Sequence, residues 1–369
     1  MKCLVAAVLL CTVSTRASSE PGVVVLRNGI IVNADDVTVT DQAVTVLAGN
    51  RESVYGWHDV ADVESQGQEG IASHLQSAEE AWRGVSRLKK GDRVAAEPAL
   101  ETAFLAKGRS IGPTAATVSE GLLVCRLSRG AQALAVEPYL YVLLNASEPQ
   151  FSESIDQTYD LCVSLPPIWG TRSGLSAMVS ALSAEDYSAW SNNDRVLQLA
   201  QLYAAAAVHE ISGRVVVPNI QPSDEGVRVI HEIVLSQAGS ASERSAARDN
   251  LSSRLNQNPP DWLCAWIHAA IGTSLLVEAD DSANRLGIVQ LLHVPAKYGD
   301  SQPYLSGVCL SRAALKLDEM GRRTEARLLA QTFNKHYEFH VAGDDLGMKL
   351  LLQSNEEDAV ESNSRQEGV

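Results

Sequence analysis

The chain has 369 residues, of which 45% are hydrophobic and only 5% aromatic. This length suits two domains or one extended repeat array, and the hydrophobic content excludes a wholly disordered chain. The formal net charge is −15, with 45 acidic and 30 basic residues. A nucleic-acid-binding protein needs a basic face, so nucleic acid is not an expected partner.

The first 19 residues have the pattern of a secretory signal peptide. Lys2 supplies the positive charge, Cys3–Val13 form a short apolar run, and Ala17 and Ser19 are small residues suited to cleavage. A lipid anchor on Cys11 is an alternative, disfavoured by the bulky residue before it. The apolar run is too short to span a bilayer, and no later run is long and apolar enough. We therefore expect an exported protein of the periplasm or cell envelope without a transmembrane helix.

Residues 20–63 predict a small β-module. Val37–Thr40 and Ala43–Val46 alternate between apolar and polar side chains, as strands with one apolar face do. Asn28-Gly29 lies between apolar runs and predicts a hairpin with a type I′ turn, in which both central residues have positive φ. We expect three to five strands, and a module this small is expected to dock on the residues that follow.

The rest of the chain is predicted to be helical up to a polar tail. Residues 64–71 are polar and contain glycine, which indicates a linker or the lead-in to the first helix. From 72 to 345 apolar residues recur with helical spacing, and helix pairs are expected to meet near Gly91 and Gly130. Residues 355–369 are acidic and poor in apolar side chains, so we expect a disordered tail.

The clearest helix pair lies around Gly321. This glycine is expected to end the first helix in the left-handed conformation that side chains disfavour. Small residues on both helices allow a close antiparallel approach. The six positions that define this unit are Ala314, Leu317, Gly321, Ala326, Ala330 and Phe333.

This pattern resembles a tetratricopeptide repeat (TPR), a helix–turn–helix unit of about 34 residues. The same frame fits residues 80–103 and 119–142, although Arg87 and Arg126 stand where the family usually has an aromatic residue or leucine. The stretches LRNGIIVNADDVTVTDQAVTVL and RLGIVQLLHVPAKYGDSQPYLSGVCLSRAALKLDEMG resemble segments of exported repeat proteins of planctomycete-type bacteria. The resemblance implies a mainly α fold, a TPR-like α-solenoid of antiparallel helix pairs preceded by a small all-β module.

The resemblance also implies a function. Stacked helix pairs share a core and present a concave surface, which in such proteins binds segments of other proteins. We therefore expect a non-catalytic protein-interaction scaffold whose partner binds the concave helical surface. Two alternatives stay open: an enzyme with its site within residues 150–300, and a structural component of an envelope assembly that docks through the β-module. A titratable cluster in a deep pocket would favour the enzyme, and a flat apolar face on the module would favour the assembly.

No catalytic, cofactor-binding or metal-binding residue is predicted. His209 and His231 are each followed by glutamate, as in the metalloprotease motif, but the second histidine of that motif is missing. His336 and His340 have the spacing of a ligand pair on a helix, yet a pair at a helix end is more often incidental.

Two tryptophans are the candidate partner-binding residues. Trp262 and Trp266 are four residues apart on one helical face, where they could grip an apolar anchor of a partner. The alternative is that this stripe belongs to the hydrophobic core.

Cysteines outside the predicted signal peptide allow three disulfide pairings if all are bridged. None has a C-x-x-C spacing, and the positions of Cys125, Cys264 and Cys309 inside apolar helical patterns favour buried free thiols instead. The cysteines outside the predicted signal peptide are Cys125, Cys162, Cys264 and Cys309.

Overall fold

The computed structural model describes residues 21–64, 70–145, 155–183, 190 and 193–353. Within these ranges the protein is mainly helical, with a small β region at its N-terminal end. The predicted signal peptide, the centre of the predicted linker and the acidic tail lie outside the described residues. Our expectations for those segments stay predictions.

The N-terminal region contains two three-stranded antiparallel sheets, with strand orders β2-β1-β6 and β3-β4-β5. A β-module was correctly predicted, but the expected number of strands was too low. The strand Arg51–Tyr55 has mostly exposed and polar side chains, so it lacks the apolar alternation that reveals a strand in the sequence. The six strands are β1 (Gly22–Leu26), β2 (Ile31–Ala34), β3 (Asp36–Val39), β4 (Val44–Ala48), β5 (Arg51–Tyr55) and β6 (Val60–Glu64).

The hairpin predicted at Asn28-Gly29 is confirmed, but its turn type differs from the prediction. Only Gly29 has a positive φ, of +86°. The Gly29 N–H donates to the Leu26 carbonyl at 2.9 Å, and the Leu26 N–H donates to the Ile30 carbonyl at 2.8 Å. This is the pattern of a three-residue loop with one left-handed residue, so the type I′ assignment was wrong. One extra loop residue removes the need for a second positive φ.

The module has a hydrophobic core distinct from the main helical core, and Ile71 and Leu75 of the first helix, with Ala78 after it, pack into this core. Val24, Val44 and Val60 are fully buried in it. Trp57, in a short 3-10 helix between β5 and β6, is also buried and donates its Nε1–H to the Thr40 carbonyl at 3.0 Å. The two sheets are therefore held together by side chains from both.

The helical part of the described chain packs in chain order, each helix against the next from α1 to α13. No helix in the described ranges combines the length and apolar character needed to cross a membrane. The helices are α1 (Ile71–Ser77), α2 (Glu79–Lys89), α3 (Arg93–Ala103), α4 (Pro113–Ser128), α5 (Gln132–Asn145), α6 (Leu175–Ser183), α7 (Asp194–Ser212), α8 (Glu225–Ala238), α9 (Ala241–Leu255), α10 (Asp261–Leu276), α11 (Asp281–Tyr298), α12 (Pro303–Glu319) and α13 (Arg323–His336). Residues 346–353 are also helical.

Three helix pairs, α2–α3, α4–α5 and α12–α13, turn in the same way. Gly91, Gly130 and Gly321 have φ of +80°, +78° and +75°. In each turn the residue after the glycine donates its N–H to the carbonyl five residues earlier, at 2.9–3.1 Å. Such a bond satisfies a carbonyl at the helix end and requires the left-handed residue. The three turns predicted from glycine positions are confirmed.

The second helix of each pair buries the same three positions, at five, nine and twelve residues after the glycine. All nine side chains are at most 7% exposed. Ala314 and Leu317, on the first helix of the last pair, are buried too. The six residues predicted to define the helix pair around Gly321 therefore lie either at the turn or in the core. The nine positions are Ala96, Leu100, Ala103, Ala135, Tyr139, Val142, Ala326, Ala330 and Phe333.

Arg87 and Arg126, which depart from the TPR pattern, make equivalent bonds. Each lies four residues before its turn glycine and donates through Nη1, at 2.7 Å, to the carbonyl eight residues later. Each arginine thus ties the first helix of its pair to the second. Arg126 also pairs with Glu101 at 2.8 Å and is buried, whereas Arg87 is exposed.

Arg126→Met is expected to lower the free energy of unfolding by about 1.5–3 kcal/mol, because charge-assisted bonds are lost in a buried setting. Arg87→Met removes the equivalent bond at an exposed position and should change it by only about 0.5 kcal/mol. Urea denaturation of both variants measures the difference. Equal losses would show that burial does not decide the strength of this bond.

The module docks on α2 and α4. Arg27 on the module pairs with Glu79 at 3.0 Å, and its guanidinium carbon lies 4.7 Å from the ring centroid of Trp82. Nδ1 of the buried His58 lies 3.2 Å from the Thr114 hydroxyl oxygen. The expected docking of the module on the following residues is therefore observed.

Candidate functional site

Residues 155–174 form an extended segment within the region predicted to be helical. Two short strands, β7 (Ile155–Asp156) and β8 (Leu161–Cys162), pair in it, and Leu165 and Ile168 are fully buried. The helical prediction was wrong here. Pro166-Pro167 explains why, because adjacent prolines lack N–H donors and are excluded from a helix interior.

Side chains from four helices bind the backbone of this segment. Tyrosine, arginine and tryptophan groups of α5, α7, α10 and α12 donate to its carbonyls at 2.6–3.3 Å. Residues 155–174 of the same chain thus cover these helix faces. The bonds run from Tyr139 to Asp160, Arg195 to Tyr159, Tyr203 to Leu165, Trp266 to Val163 and Arg312 to Trp169.

The candidate partner-binding residues Trp262 and Trp266 lie in the core against this segment. Trp266 is 0% exposed and Trp262 9% exposed, with their ring centroids 4.9 Å apart in a T-shaped arrangement. The Trp262 Nε1–H donates to the Asp156 carboxylate at 3.3 Å. This is the core placement that the sequence left open, and neither ring offers an apolar face to a partner.

Two cavities flank the end of the extended segment, at Trp169–Gly174. The larger, of about 370 Å³, lies between this segment, α7, α12 and residues 342–345. The smaller, of about 90 Å³, lies between the segment, the start of α5, Tyr304 and Val341. Elements far apart in the sequence converge here, which makes this region the best candidate for a functional site.

An ion pair forms one wall of the larger cavity. Arg312 donates to the Glu210 carboxylate at 2.8 Å, to the Thr273 hydroxyl at 3.2 Å and to the Trp169 carbonyl at 3.1 Å. Arg172, also in the wall, is exposed. The cavity is suited to a polar group that donates and accepts hydrogen bonds. The glutamate of the incomplete metalloprotease motif therefore pairs with an arginine 102 residues away, which no local pattern predicts.

A third cavity, of about 390 Å³, lies where the module meets α2. Arg27, His58 and Asp59 line it from the module, and Trp82 and Lys89 from the helix. Burial lowers the pKa of His58; the Asp59 carboxylate opposes this shift, while the Lys89 and Arg27 cations add to it. At neutral pH His58 is therefore uncharged in the folded protein, where it forms a hydrogen-bonding contact between module and helix.

Lowering the pH should weaken the fold through His58. Because its pKa is lower in the folded chain than the ordinary 6.5 of the unfolded chain, protons bind the unfolded state first and stability falls as pH drops below about 6.5. His58→Asn keeps a polar group beside Thr114 but cannot titrate. The free energy of unfolding, measured by urea at about pH 7.5 and about pH 5.5, should fall less in the variant than in the wild type. An equal fall would assign the pH dependence to the other histidines.

His340, one of the histidines singled out in the sequence, bonds to the backbone. His340 Nδ1 accepts the Ala342 N–H at 3.0 Å, and its Nε2 donates to the Tyr304 carbonyl at 2.8 Å, so both ring nitrogens are occupied. In the described part of the chain, no group of three or more histidine, cysteine, aspartate or glutamate side chains is arranged to hold a metal ion.

The expectation of free thiols is confirmed for all four cysteines. Three are buried, and Cys264 is partly buried. Burial raises the pKa of Cys125 to about 11 and of Cys162 and Cys309 to about 12. Since the thiolate is the reactive form, these three thiols are inert at neutral pH.

Comparison of the chain with protein-family models, curated proteins and solved structures found no significant match.

Proposed function

We propose that this chain is an exported, non-catalytic scaffold of the periplasm or cell envelope that binds another protein, with TPR-like helix pairs as its framework in a solenoid. The observation that carries the proposal is the threefold recurrence of one turn, with the same positive-φ glycine and the same three buried positions after it. The packing of each helix on the next supports it, since stacked repeats share their core only with neighbours.

The proposed partner surface is the rim of the larger cavity. The helix faces around Trp266 are covered by residues 155–174, so they are not free for a partner. At the rim, Arg172 and Asp345 are exposed and carry opposite charges, above the Glu210–Arg312 pair. These groups suit a polar segment of another protein better than an apolar anchor.

The test is affinity capture from envelope extract with the full chain. Wild type, Arg172→Glu and the matched control Arg214→Glu, which changes an equally exposed arginine outside the cavity, are immobilised in parallel. We expect one protein to be retained by wild type and the control and lost from Arg172→Glu. If all three proteins retained the partner, the binding surface would lie elsewhere on the chain. If none retained a specific protein, the scaffold proposal would be contradicted.

A further inference from the structure

The smaller cavity is built around the start of α5. The N–H groups of the first helical turn have no partner within the helix. The preceding residue, Ala131, has no side-chain acceptor to cap them. In the equivalent helix of the first pair, the Asp92 carboxylate accepts the Ala95 N–H at 3.1 Å. At α5 the residues that carry the corresponding donors, Gln132, Ala133 and Leu134, line the cavity.

Two buried polar side chains in the same cavity wall also lack partners. Trp169 is 3% exposed, and its Nε1–H has no acceptor. Gln132 is likewise 3% exposed, and its Oε1 has no hydrogen-bond partner. An unpaired buried polar group destabilises a fold, because it has lost its bonds to water without gaining a partner. Both residues line this cavity, which points to a small polar ligand that completes their hydrogen bonds.

The charge around this cavity favours an anion. No aspartate or glutamate lines it, although the chain as a whole carries a net charge of −15. Arg129 is at its edge but is already paired with the Glu97 carboxylate at 2.7 Å, so the favourable charge comes from the positive end of the α5 dipole. The Tyr304 hydroxyl accepts the Gly170 N–H at 3.0 Å, which leaves its own proton to donate. Burial raises the pKa of Tyr304 to about 12, so that proton is retained at neutral pH.

The volume limits the ligand. A cavity needs only about 10–15 Å³ to hold one water on this measure, so 90 Å³ has room for several waters or for a small organic acid. We propose that this cavity binds a small free carboxylate, whose oxygens accept from the first turn of α5 and from Trp169 Nε1–H. The Gln132 amide, which presents either oxygen or nitrogen by rotation, bonds to the carboxylate or to a neighbouring hydroxyl. This proposal does not depend on the protein-binding proposal, and either can fail alone.

The test follows the indole N–H signals of the full chain by two-dimensional NMR. Sodium acetate and sodium glycolate are titrated into the protein. Sodium chloride controls for ionic strength, and acetamide controls for a molecule of similar shape to acetate without its charge. We expect the Trp169 indole signal and the N–H signals of Gln132–Leu134 to move saturably with the two carboxylates only. Tighter binding of glycolate than of acetate would support the bond from Gln132 to a neighbouring hydroxyl.

Variants separate this site from general anion effects. Gln132→Glu places a negative charge in the cavity with little change of shape and should weaken acetate binding by about tenfold or more. Trp169→Phe, followed at the α5 N–H signals, should have a similar effect. The matched control Trp82→Phe, in the cleft beside the module, should bind like the wild type.

Three outcomes would overturn the proposal. Shifts no larger than those with sodium chloride would mean that the cavity holds water only. Unchanged acetate binding in Gln132→Glu would place the carboxylate elsewhere. Tighter binding of N-acetylglycine than of acetate would indicate that the ligand is the C-terminal carboxylate of a protein chain and not a small free acid.

Discussion

Trp266→Ala is expected to lower the free energy of unfolding by about 3–5 kcal/mol, the range for removing a large aromatic side chain from a core. Trp266 is 0% exposed, packs against Trp262 and donates to the Val163 carbonyl at 3.3 Å. The alanine variant loses the packed ring and leaves that buried carbonyl without its donor. Chemical denaturation at neutral pH measures the loss.

The control for this prediction is Trp266→Phe. It keeps most of the ring packing but removes the N–H, so it should cost about 1–2 kcal/mol from the lost hydrogen bond. The difference between the variants separates packing from hydrogen bonding. A loss below about 1 kcal/mol for the alanine variant would contradict the buried placement of this side chain.

Gly226→Ala is expected to destabilise the fold by about 1–3 kcal/mol, although alanine is normally the better helix residue. Gly226 lies in the first turn of α8, where an added methyl would overlap the Tyr159 carbonyl and lie 3.0 Å from Arg195 Nη2. Because the obstacle is backbone, the extended segment itself must move. Urea denaturation, with limited proteolysis of residues 155–174 as a second readout, measures both effects.

Gly121→Ala in α4 is the matched control. Its added methyl would lie 3.1–3.4 Å from methyl groups of Leu88 and Leu100, which are the ends of flexible side chains. Small shifts of those side chains relieve the contact, so we expect little loss or a small gain from helix propensity. If both variants lost the same stability, the close approach of α8 to the extended segment would not explain the effect at Gly226.

Local features of the sequence predicted the elements whose formation depends on neighbouring residues. The turns at Gly91, Gly130 and Gly321 were predictable because a left-handed residue between two amphipathic helices leaves a local signal. The strands around Val37 and Val44 were predictable for the same reason, since alternation along a strand is local. The hairpin was predictable from Asn28-Gly29, though its turn type depended on the strand register.

The candidate site was decided by the tertiary structure. Glu210 meets Arg312 across 102 residues, and Gly170 meets Tyr304 across 134. No spacing rule connects such residues, because rules of helix and strand periodicity extend over only a few positions. The burial of Trp266 was equally undecided, since a core stripe and a binding stripe have the same helical spacing.

The sequence by itself determined that this protein is mainly helical, has a β-module before the helices and repeats one glycine turn. Only the tertiary structure decided that residues 155–174 lie between the helices and bond to Tyr139, Tyr203 and Trp266. The physical reason is that glycine conformation and side-chain periodicity act within a few residues. Which segment covers a helix face depends on contacts between residues that are far apart in the sequence. The covering segment must bond to the donors of that face and pack on its apolar surface.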